Sequence, residues 1–533
     1  MEVIFLEEKV KNTSEVSSTP GKKVYSNYIL NVLYQIFTLI VPLVLTPYLS
    51  RVLGAEMLGK YSFSNSLMQY FYLVACLGCN YYAQRELIKY QNDKYKQSQA
   101  FFEIMILRGS VTIICFAAQV IMACVGVFGA YKVLMLVLSL NVLAVLFDVT
   151  FVFQSQENFK TLVLRSFIVK IVAVALIFIF VKKPSDLWLY CLINNGGVIL
   201  VSYIILCFAM PKYITKVKIK DIHPLHHFIP IIGLFIPSLV MSLYTILDKT
   251  LIGFLIPGTY EEYITTTENG VNVITTVTKK MSDLQNGYYE QAEKLIKIPL
   301  TIVTCLGVVM IPRNSKEYSQ GNIEQLKNNI YFSFKFVWFL GIPLSVGLAA
   351  ISKNLNYWFF GDGYEPVINL MITFSPIALA MGLSNVIGVQ YLIPTGRDKY
   401  YTISILIGTV VNLTFTILFL ILYGTIGAVI ASVIGEFVIL IVDFIIVRKD
   451  ISIKKALLCG WKNIIAGAIM GVVLFLIEGK FESSPLSTLL LILIGMTIYF
   501  VIALILRDEM INVGLNLVKN KLKKRKDTVE DIK

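Results

Sequence analysis

Charged side chains are scarce in this chain: Asp, Glu, Lys and Arg together make up 15% of its 533 residues. No polar stretch is long enough to fold as a sizeable soluble domain, which argues against an enzyme that carries its chemistry outside a membrane. Histidine is scarcer still. His223, His226 and His227 are the full complement, and they crowd one basic loop, where they read as solvated rather than metal-bound. No His–Asp constellation or paired carboxylate is therefore available in a loop for acid–base or nucleophilic work. Asp362, in Phe360-Gly-Asp-Gly-Tyr364, stands alone. The expectation is a protein that is not an enzyme, with no resident cofactor or metal. A cleavable signal is also lacking, because Met1–Lys23 is polar, mixed in charge and without an apolar core; it reads as a disordered tail. None of the eight cysteines lies in the longest polar loop. Cys76-x-x-Cys79 sits in an apolar run without matching ligands, so small apolar filler is the simpler reading than metal or redox chemistry.

What is abundant is apolar surface. Hydrophobic residues make up 56% of the chain, and the mean hydropathy is +0.72. Apolar runs of about 20 residues recur along its whole length, which is what a hydrocarbon core ~30 Å thick requires. The fold class expected is all-α integral membrane with about fourteen transmembrane helices, near 27–49, 62–82, 104–126, 132–153, 162–181, 186–209, 229–256, 294–312, 330–351, 366–389, 400–422, 425–447, 462–479 and 485–506. The net charge of +13 does not call for nucleic acid, since the basic residues concentrate in alternate short loops, at Arg85–Lys96, Lys212–Lys220, Arg313–Lys327 and Arg448–Lys455 among others. By the positive-inside rule those loops and both termini are cytoplasmic, and the Lys/Ile/Asn/Tyr-rich composition points to an AT-rich bacterial genome, so the membrane expected is a bacterial cytoplasmic one.

The chain then parses into a cytoplasmic tail (1–26), a six-span lobe (27–210), a cytoplasmic linker (211–228), a second six-span lobe (229–447), two further spans (448–506) and a basic tail (507–533). Within the second lobe, the insertion 257–285 carries two β-prone runs, Tyr263–Thr267 and Val271–Val277, around Asn269-Gly270. That is the signature of a two-residue hairpin turn. An internal echo supports two lobes: Gly59, Tyr61, Leu67 and Arg85 recur at one constant offset as Gly287, Tyr289, Leu295 and Arg313. Repeats of this kind build many transporters, with the substrate path at their interface.

The most informative stretch is Ile236–Leu255, a bilayer-length run that carries Asp248 and Lys249 side by side. Charge at membrane depth costs about 2.5–3.5 kcal/mol on insertion scales and normally faces protein or a water-filled cavity. Adjacent helical residues point about 100° apart, so each needs its own partner or one faces a lumen. The alternative is that both snorkel to the headgroups.

Several motifs add to this. Tyr48-Leu-Ser-Arg-Val-Leu-Gly-Ala55, Gly59-Lys-Tyr-Ser-Phe-Ser-Asn-Ser-Leu67, Tyr244-Thr-Ile-Leu-Asp-Lys-Thr250, Asn286-Gly-Tyr-Tyr-Glu-Gln-Ala-Glu-Lys294 and Leu392-Ile-Pro-Thr-Gly-Arg-Asp-Lys399 resemble Wzx-type polysaccharide repeat-unit flippases. These form the polysaccharide transporter family of the multidrug/oligosaccharidyl-lipid/polysaccharide exporter superfamily. The resemblance runs from about Tyr28 to Lys449. It implies a V-shaped two-lobed bundle around a central cavity that alternates in access. The implied cargo is an undecaprenyl-diphosphate-linked oligosaccharide, moved to the outer leaflet for capsule, exopolysaccharide or O-antigen assembly. Membrane lipids, a polymerase and glycosyltransferases are the implied partners. A small-molecule antiporter of the multidrug branch and a lipid II flippase are the transport alternatives.

Under that resemblance Lys249 is the first candidate for the diphosphate, with Arg51, Arg85, Lys294, Arg313 and Gln390 as further diphosphate or sugar contacts. Arg51 offers a bidentate fork or a headgroup anchor. Arg85 and Arg313 fit phosphate capture or ordinary positive-inside anchoring, and Lys294 fits an interface cluster with Glu290 and Glu293. Arg108 and Lys170 are explained by snorkelling. Glu436, Asp248 and Asp148 are the candidates for coupling to H⁺ or Na⁺, whereas Asp443 reads as a structural pair with Arg448. Pro42, Pro47 and Pro237 interrupt helix hydrogen bonds and are hinge candidates.

Overall fold

A chain in hydrocarbon must satisfy its own backbone N–H and C=O groups, which selects helices. The computed structural model describes residues 20–156, 158–268, 271–511 and 513, and these are mainly helical. The helices are α1 (Pro20–Cys76), α2 (Cys79–Lys89), α3 (Lys94–Val125), α4 (Lys132–Ala144), α5 (Thr150–Ser155), α6 (Phe159–Phe180), α7 (Leu187–Cys191), α8 (Gly197–Phe208) and α9 (Phe228–Leu255). Strands β1 (Thr259–Glu268) and β2 (Val271–Lys280) come next. After them run α10 (Met281–Ser319), α11 (Ile323–Phe360), α12 (Glu365–Phe374), α13 (Ile377–Ile387), α14 (Asp398–Tyr423), α15 (Thr425–Val447), α16 (Ile453–Leu458), α17 (Trp461–Glu478) and α18 (Pro485–Ile505).

Among the described residues twelve segments are long and apolar enough to cross a membrane, against the fourteen expected. The first two expected spans fall in one segment, Ile40–Lys89, and α9 is not among the twelve. Helix α1 already begins at Pro20, so it starts inside the segment expected to be a tail; residues 1–19 and 514–533 lie outside the described residues. The hairpin strands are longer than the two β-prone runs, pairing antiparallel from Thr259↔Lys280 to Glu268↔Val271. The Asn269-Gly270 turn lies outside the described residues.

The chain divides into two compact units, one ending at Glu290 and the other beginning at Gln291. The linker 211–228, expected to separate the lobes, therefore lies inside the first unit. The cause is chemical: the polar residues of α9 find their hydrogen-bond partners on α1 and on the opening turns of α10, as described below, and burying them elsewhere would leave those groups unpaired.

In the first unit, Leu45, Leu49, Leu53, Leu58 and Met68 of α1 pack with Leu138 and Val142 of α4, Ile177 of α6 and Tyr190 of α7. A second cluster joins Tyr82 and Leu87 of α2, Phe101 and Ile104 of α3, Phe151 and Phe153 of α5, and Ile231 of α9. Helix α1 is broken at Gly54, where φ is 76° and ψ 167°. Both Pro42 and Pro47 lie inside helix, and the break in α1 falls seven residues beyond Pro47, at Gly54; only glycine reaches that φ without strain. Pro237 falls within α9, and its side chain lies outside the described residues.

Helices α1 and α10 cross backbone to backbone. A Cβ on Gly59 would stand 1.6 Å from the Asp283 carbonyl oxygen, and one on Gly287 would stand 1.9 Å from that of Ala55. Each glycine meets the carbonyl four residues before the other, so the contact is reciprocal, as a two-fold axis requires. Ser62 and Glu290, hydrogen-bonded at 3.0 Å, are separated by 228 residues, the same offset that relates Gly59 to Gly287. The sequence echo is thus a physical repeat at this crossing.

In the second unit, Phe334, Val337, Trp338 and Ile342 of α11 share one core with Leu383 of α13, Leu440 and Phe444 of α15, Met470 and Leu474 of α17, and Leu491 and Tyr499 of α18. Trp338 Nε1 donates to the Ala456 carbonyl at 3.0 Å, and the Tyr499 hydroxyl donates to that of Phe339 at 2.8 Å. The last two spans are part of this core, not the separate appendage expected.

Gly59→Ala is expected to destabilise the protein by about 1–3 kcal/mol or more through backbone overpacking. Gly479→Ala, where nothing lies within 4 Å of the added carbon, is expected to change stability by less than about 0.5 kcal/mol. Thermal unfolding of the two variants in detergent provides the comparison.

Candidate functional site

Helix α9 brings three consecutive polar residues to one seam. Asp248 is buried and accepts a hydrogen bond from the Tyr289 hydroxyl at 2.6 Å. Lys249 forms an ion pair with Glu290, with side-chain exposures of only 15% and 11%. Glu290 in turn accepts from Ser62 Oγ, and the Lys249 carbonyl accepts from Asn286 Nδ2 at 2.8 Å. Thr250 Oγ1 meets Ser66 Oγ at 3.0 Å and the Tyr70 hydroxyl at 2.9 Å. Each charge therefore has its own partner, and the snorkelling alternative fails on burial.

The seam continues along α1. The Tyr61 hydroxyl donates to Asn195 Oδ1 at 2.9 Å, and Asn195 Nδ2 donates to Asn65 Oδ1 at 2.6 Å. Asn194 and Asn195 lie in a π-helical turn, Leu192–Gly196, a local widening that recurs at functional sites. Ser62, Asn65, Ser66, Tyr70 and Asn195 were not singled out from the sequence. Their signal was present, since positions 62, 65, 66 and 70 fall on one helical face inside an apolar run.

The hairpin is fastened beside this seam. Lys279 of β2 pairs with Glu56 of α1 and with Glu262 of β1. Burial works against the Lys279 charge, but the two carboxylates hold its ammonium above the usual lysine range. Burial also pushes the Tyr260 phenol up to about 12.

The other sequence candidates are dispersed. Arg51 is exposed and donates to the Pro47 carbonyl at 2.8 Å, on its own helix. Arg85 is half-buried, its guanidinium 5.8 Å from the Tyr82 ring centroid. Asp148 is buried as a local cap: Oδ1 accepts from the Thr150 hydroxyl at 2.6 Å and its backbone N–H at 3.0 Å. The Asp148 carbonyl accepts from Arg108, which is 1% exposed and also donates to Asn80 Oδ1 at 3.0 Å. Snorkelling is therefore wrong for Arg108, and Asp148 sits at a hydrogen-bonded junction with Asn80, Arg108 and Thr150. Solvation describes only part of the histidine loop, because His223 and His226 are exposed and His227 is buried. Burial pushes His227 below the usual imidazole range, although a hydrogen bond with Glu103 favours its charged form.

In the second unit Lys294 is half-buried and Arg313 exposed. Gln390 is 0% exposed, within a second π-helical turn, Gly388–Leu392. Its carbonyl accepts from Asn314 Nδ2 at 2.7 Å, and its amide donates to Asn385 Oδ1 at 3.3 Å. Glu436 is buried on α15. Asp443, two turns further along that helix, accepts from Ser384 Oγ at 2.6 Å, while its Oδ1 has no hydrogen-bond partner among the described residues. Arg448 is exposed, and Asp443 is bonded to serine instead of forming the expected pair. Arg397 of the Thr-Gly-Arg-Asp motif binds Asp450 at 2.7 Å and the Tyr391 hydroxyl at 2.9 Å.

The seam and its repeat-related crossing lie within the stretch that matches the sequence profile of the polysaccharide biosynthesis protein family, residues 24–318. The chain belongs to that family. A second profile, that of lipid II flippase MurJ, matches residues 264–495. Among relatives of this polysaccharide biosynthesis family member, a protein named as an O-antigen transporter in Escherichia coli (strain K12) is 22% identical over 424 residues, 79% of this chain and 94% of that one. The lipid II flippase MurJ of Bacillus subtilis (strain 168) is 26% identical over 195 residues, 35% of either chain. The structure is similar to lipid II flippase MurJ in an inward closed conformation, with a TM-score of 0.71 at 17% identity, covering 91% of this chain and 100% of that one. An inward-facing multidrug resistance MATE transporter gives a TM-score of 0.58 at 14% identity, over 78% of this chain and 98% of that one. The fold is that of the MurJ and MATE transporters, and the protein is a multi-pass membrane protein.

Breaking a buried ion pair on one side strands the other charge. Lys249→Met is expected to lower stability by about 3–5 kcal/mol, and adding Glu290→Gln is expected to restore most of it. Unfolding in detergent reads both variants; equal losses in the single and the double variant would show that the pair is not coupled.

Proposed function

We propose that this protein is a Wzx-type flippase, moving lipid-diphosphate-linked oligosaccharide repeat units from the cytoplasmic to the outer leaflet of a bacterial membrane by alternating access. The observation that carries the reading is the Lys249–Glu290 pair set in a seam of hydroxyl and amide groups. A diphosphate–sugar headgroup cannot cross hydrocarbon unaided, because unpaired charge there is expensive. A cation already inside the protein lowers that barrier, and Glu290 keeps it charged until cargo arrives. The diphosphate then competes with Glu290 for the ammonium, while Glu290 keeps its hydrogen bond from Ser62. Neighbouring hydroxyls and amides offer hydrogen bonds suited to sugar. The long match to an O-antigen transporter favours a repeat-unit oligosaccharide over lipid II, whose named flippase in Bacillus subtilis matches over 35% of this chain. Both termini are read as cytoplasmic from the Lys/Arg bias, and a polymerase and glycosyltransferases are the partners such a cargo calls for.

Transport is proposed to be coupled to an H⁺ or Na⁺ gradient through the buried carboxylates of α15, Glu436 and Asp443. Carboxylates inside membrane spans that face protein rather than lipid commonly mark ion pathways and proton relays. Asp443, with one oxygen bonded to Ser384 and the other unpartnered among the described residues, joins Glu436 in this role, in place of Asp148.

Purified protein in liposomes, with a labelled undecaprenyl-diphosphate oligosaccharide in one leaflet, provides the test. Protein-dependent movement is expected, and the Lys249→Met/Glu290→Gln double variant, folded but without its cation, is expected to lose it. Undiminished movement by that variant would remove Lys249 from the mechanism. An imposed H⁺ or Na⁺ gradient is expected to accelerate the wild type and not Glu436→Gln; an equal response in both would leave Glu436 a structural group.

A further inference from the structure

The histidine loop has no part in the transport reading, yet its geometry is that of a ligand set. The segment between α8 and α9 is stitched along α3: Lys94 reaches the Lys212 carbonyl at 3.4 Å, Ser98 Oγ meets Thr215 Oγ1 at 3.1 Å, and Gln99 Nε2 donates to the Asp221 carbonyl at 2.6 Å. At the end of this seam the three histidines of the chain converge on one carboxylate. Glu103 Oε1 accepts from the His223 backbone N–H at 2.8 Å and from Gln99 Nε2 at 3.0 Å, which fixes the carboxylate plane. Its Oε2 faces two imidazoles, His227 Nε2 at 2.9 Å and His226 Nδ1 at 3.9 Å; His226 Nδ1 donates to the His223 carbonyl at 2.7 Å, a contact that metal binding would exchange for the cation. One ligand atom each from Glu103, His226 and His227 lies within 4.8 Å of the others.

We propose that Glu103, His226 and His227 form a binding site for a Zn²⁺-class divalent cation that clamps the linker to α3. Two imidazole nitrogens and a carboxylate oxygen are a donor set that suits zinc, with water in the fourth position. The groups behind the ligands are those such sites use. The Tyr82 hydroxyl stands 2.6 Å from His227 Nδ1, so when Nε2 takes the metal the imidazole proton moves to Nδ1 and the tyrosine oxygen accepts it. A fixed tautomer of this kind strengthens a histidine ligand. Glu103 and His227 are buried, at 2% and 1% exposure, whereas the His226 side chain is 60% exposed. The site is thus anchored on two sides and open on the third, which provides a route of entry and room for water. Without metal, the His227–Glu103 hydrogen bond occupies the same place and holds the loop more weakly. Because α9 starts at the next residue, Phe228, the clamp would set the starting point of the helix that carries Asp248 and Lys249.

Full-length protein without a polyhistidine tag, purified in detergent, stripped with chelator and titrated with Zn²⁺, provides the test. Saturable binding of about one Zn²⁺ per chain is expected, with a rise in thermal stability. His226→Ala removes an exposed side chain and should leave the fold intact while weakening binding by about tenfold or more. Glu103→Gln should weaken it similarly, and the stabilisation by Zn²⁺ should vanish in both. No saturable binding, or binding and stabilisation unchanged in His226→Ala, would overturn the proposal and leave the cluster a hydrogen-bonded relay.

Discussion

The ion pair between Lys249 and Glu290 is the contact on which the first unit depends. A lysine buried on an apolar helix is tolerable only if an anion is brought to it, and Glu290 is brought by α10 crossing α1 at van der Waals distance. That crossing in turn needs Gly59 and Gly287, since any side chain at either position would collide with the opposing backbone. The same logic repeats beside it. Asp248 requires Tyr289, Thr250 requires Ser66 and Tyr70, and Lys279 at the hairpin foot requires Glu56. Placement of helices here is a consequence of matching polar groups that cannot be left to lipid.

The two units spend this requirement differently. In the first, hydrogen bonds run between helices far apart in sequence and surround a cation. In the second, buried acidic and amide groups sit among hydroxyls, with Asp443 against Ser384 and Gln390 between Asn314 and Asn385. Both contain a π-helical turn at a cluster of amides, Asn194 and Asn195 in one and Gln390 in the other. A widened turn leaves backbone carbonyls less committed to the helix, and that is where long polar side chains gather.

The bilayer-length apolar runs, the hairpin strands and the odd pair Asp248–Lys249 were legible in the sequence, because each is written in a window of fewer than 30 residues. So was the repeat at Gly59 and Gly287, whose meaning emerged only when the two positions proved to touch. What could not be read was partnership across the chain. Arg108 resembles a snorkelling residue until Asn80 and the Asp148 carbonyl are seen beside it. Asp443 resembles a partner of nearby Arg448 until Ser384, on another helix, takes its oxygen. Pro42 and Pro47 suggested the bend in α1, but a proline can be absorbed in a helix that gives up one hydrogen bond, whereas a left-handed φ at Gly54 cannot. His227 looked solvated because its burying partners, Tyr82 and Glu103, come from helices more than 120 residues earlier.

The reciprocal crossing of α1 and α10 has the form of a symmetric dimer contact, in which each side presents the same surface to the other. In a true homodimer every position near the axis must tolerate its own copy, so a glutamate there would face a glutamate and repel it. Joining both halves on one polypeptide removes that restriction. Ser62 now stands where the other half carries Glu290, and the serine hydroxyl can donate to a carboxylate that is spared its twin. One polypeptide that carries both repeats can thus hold an asymmetric charge at a symmetric junction, and the asymmetry gives Lys249 a counter-ion.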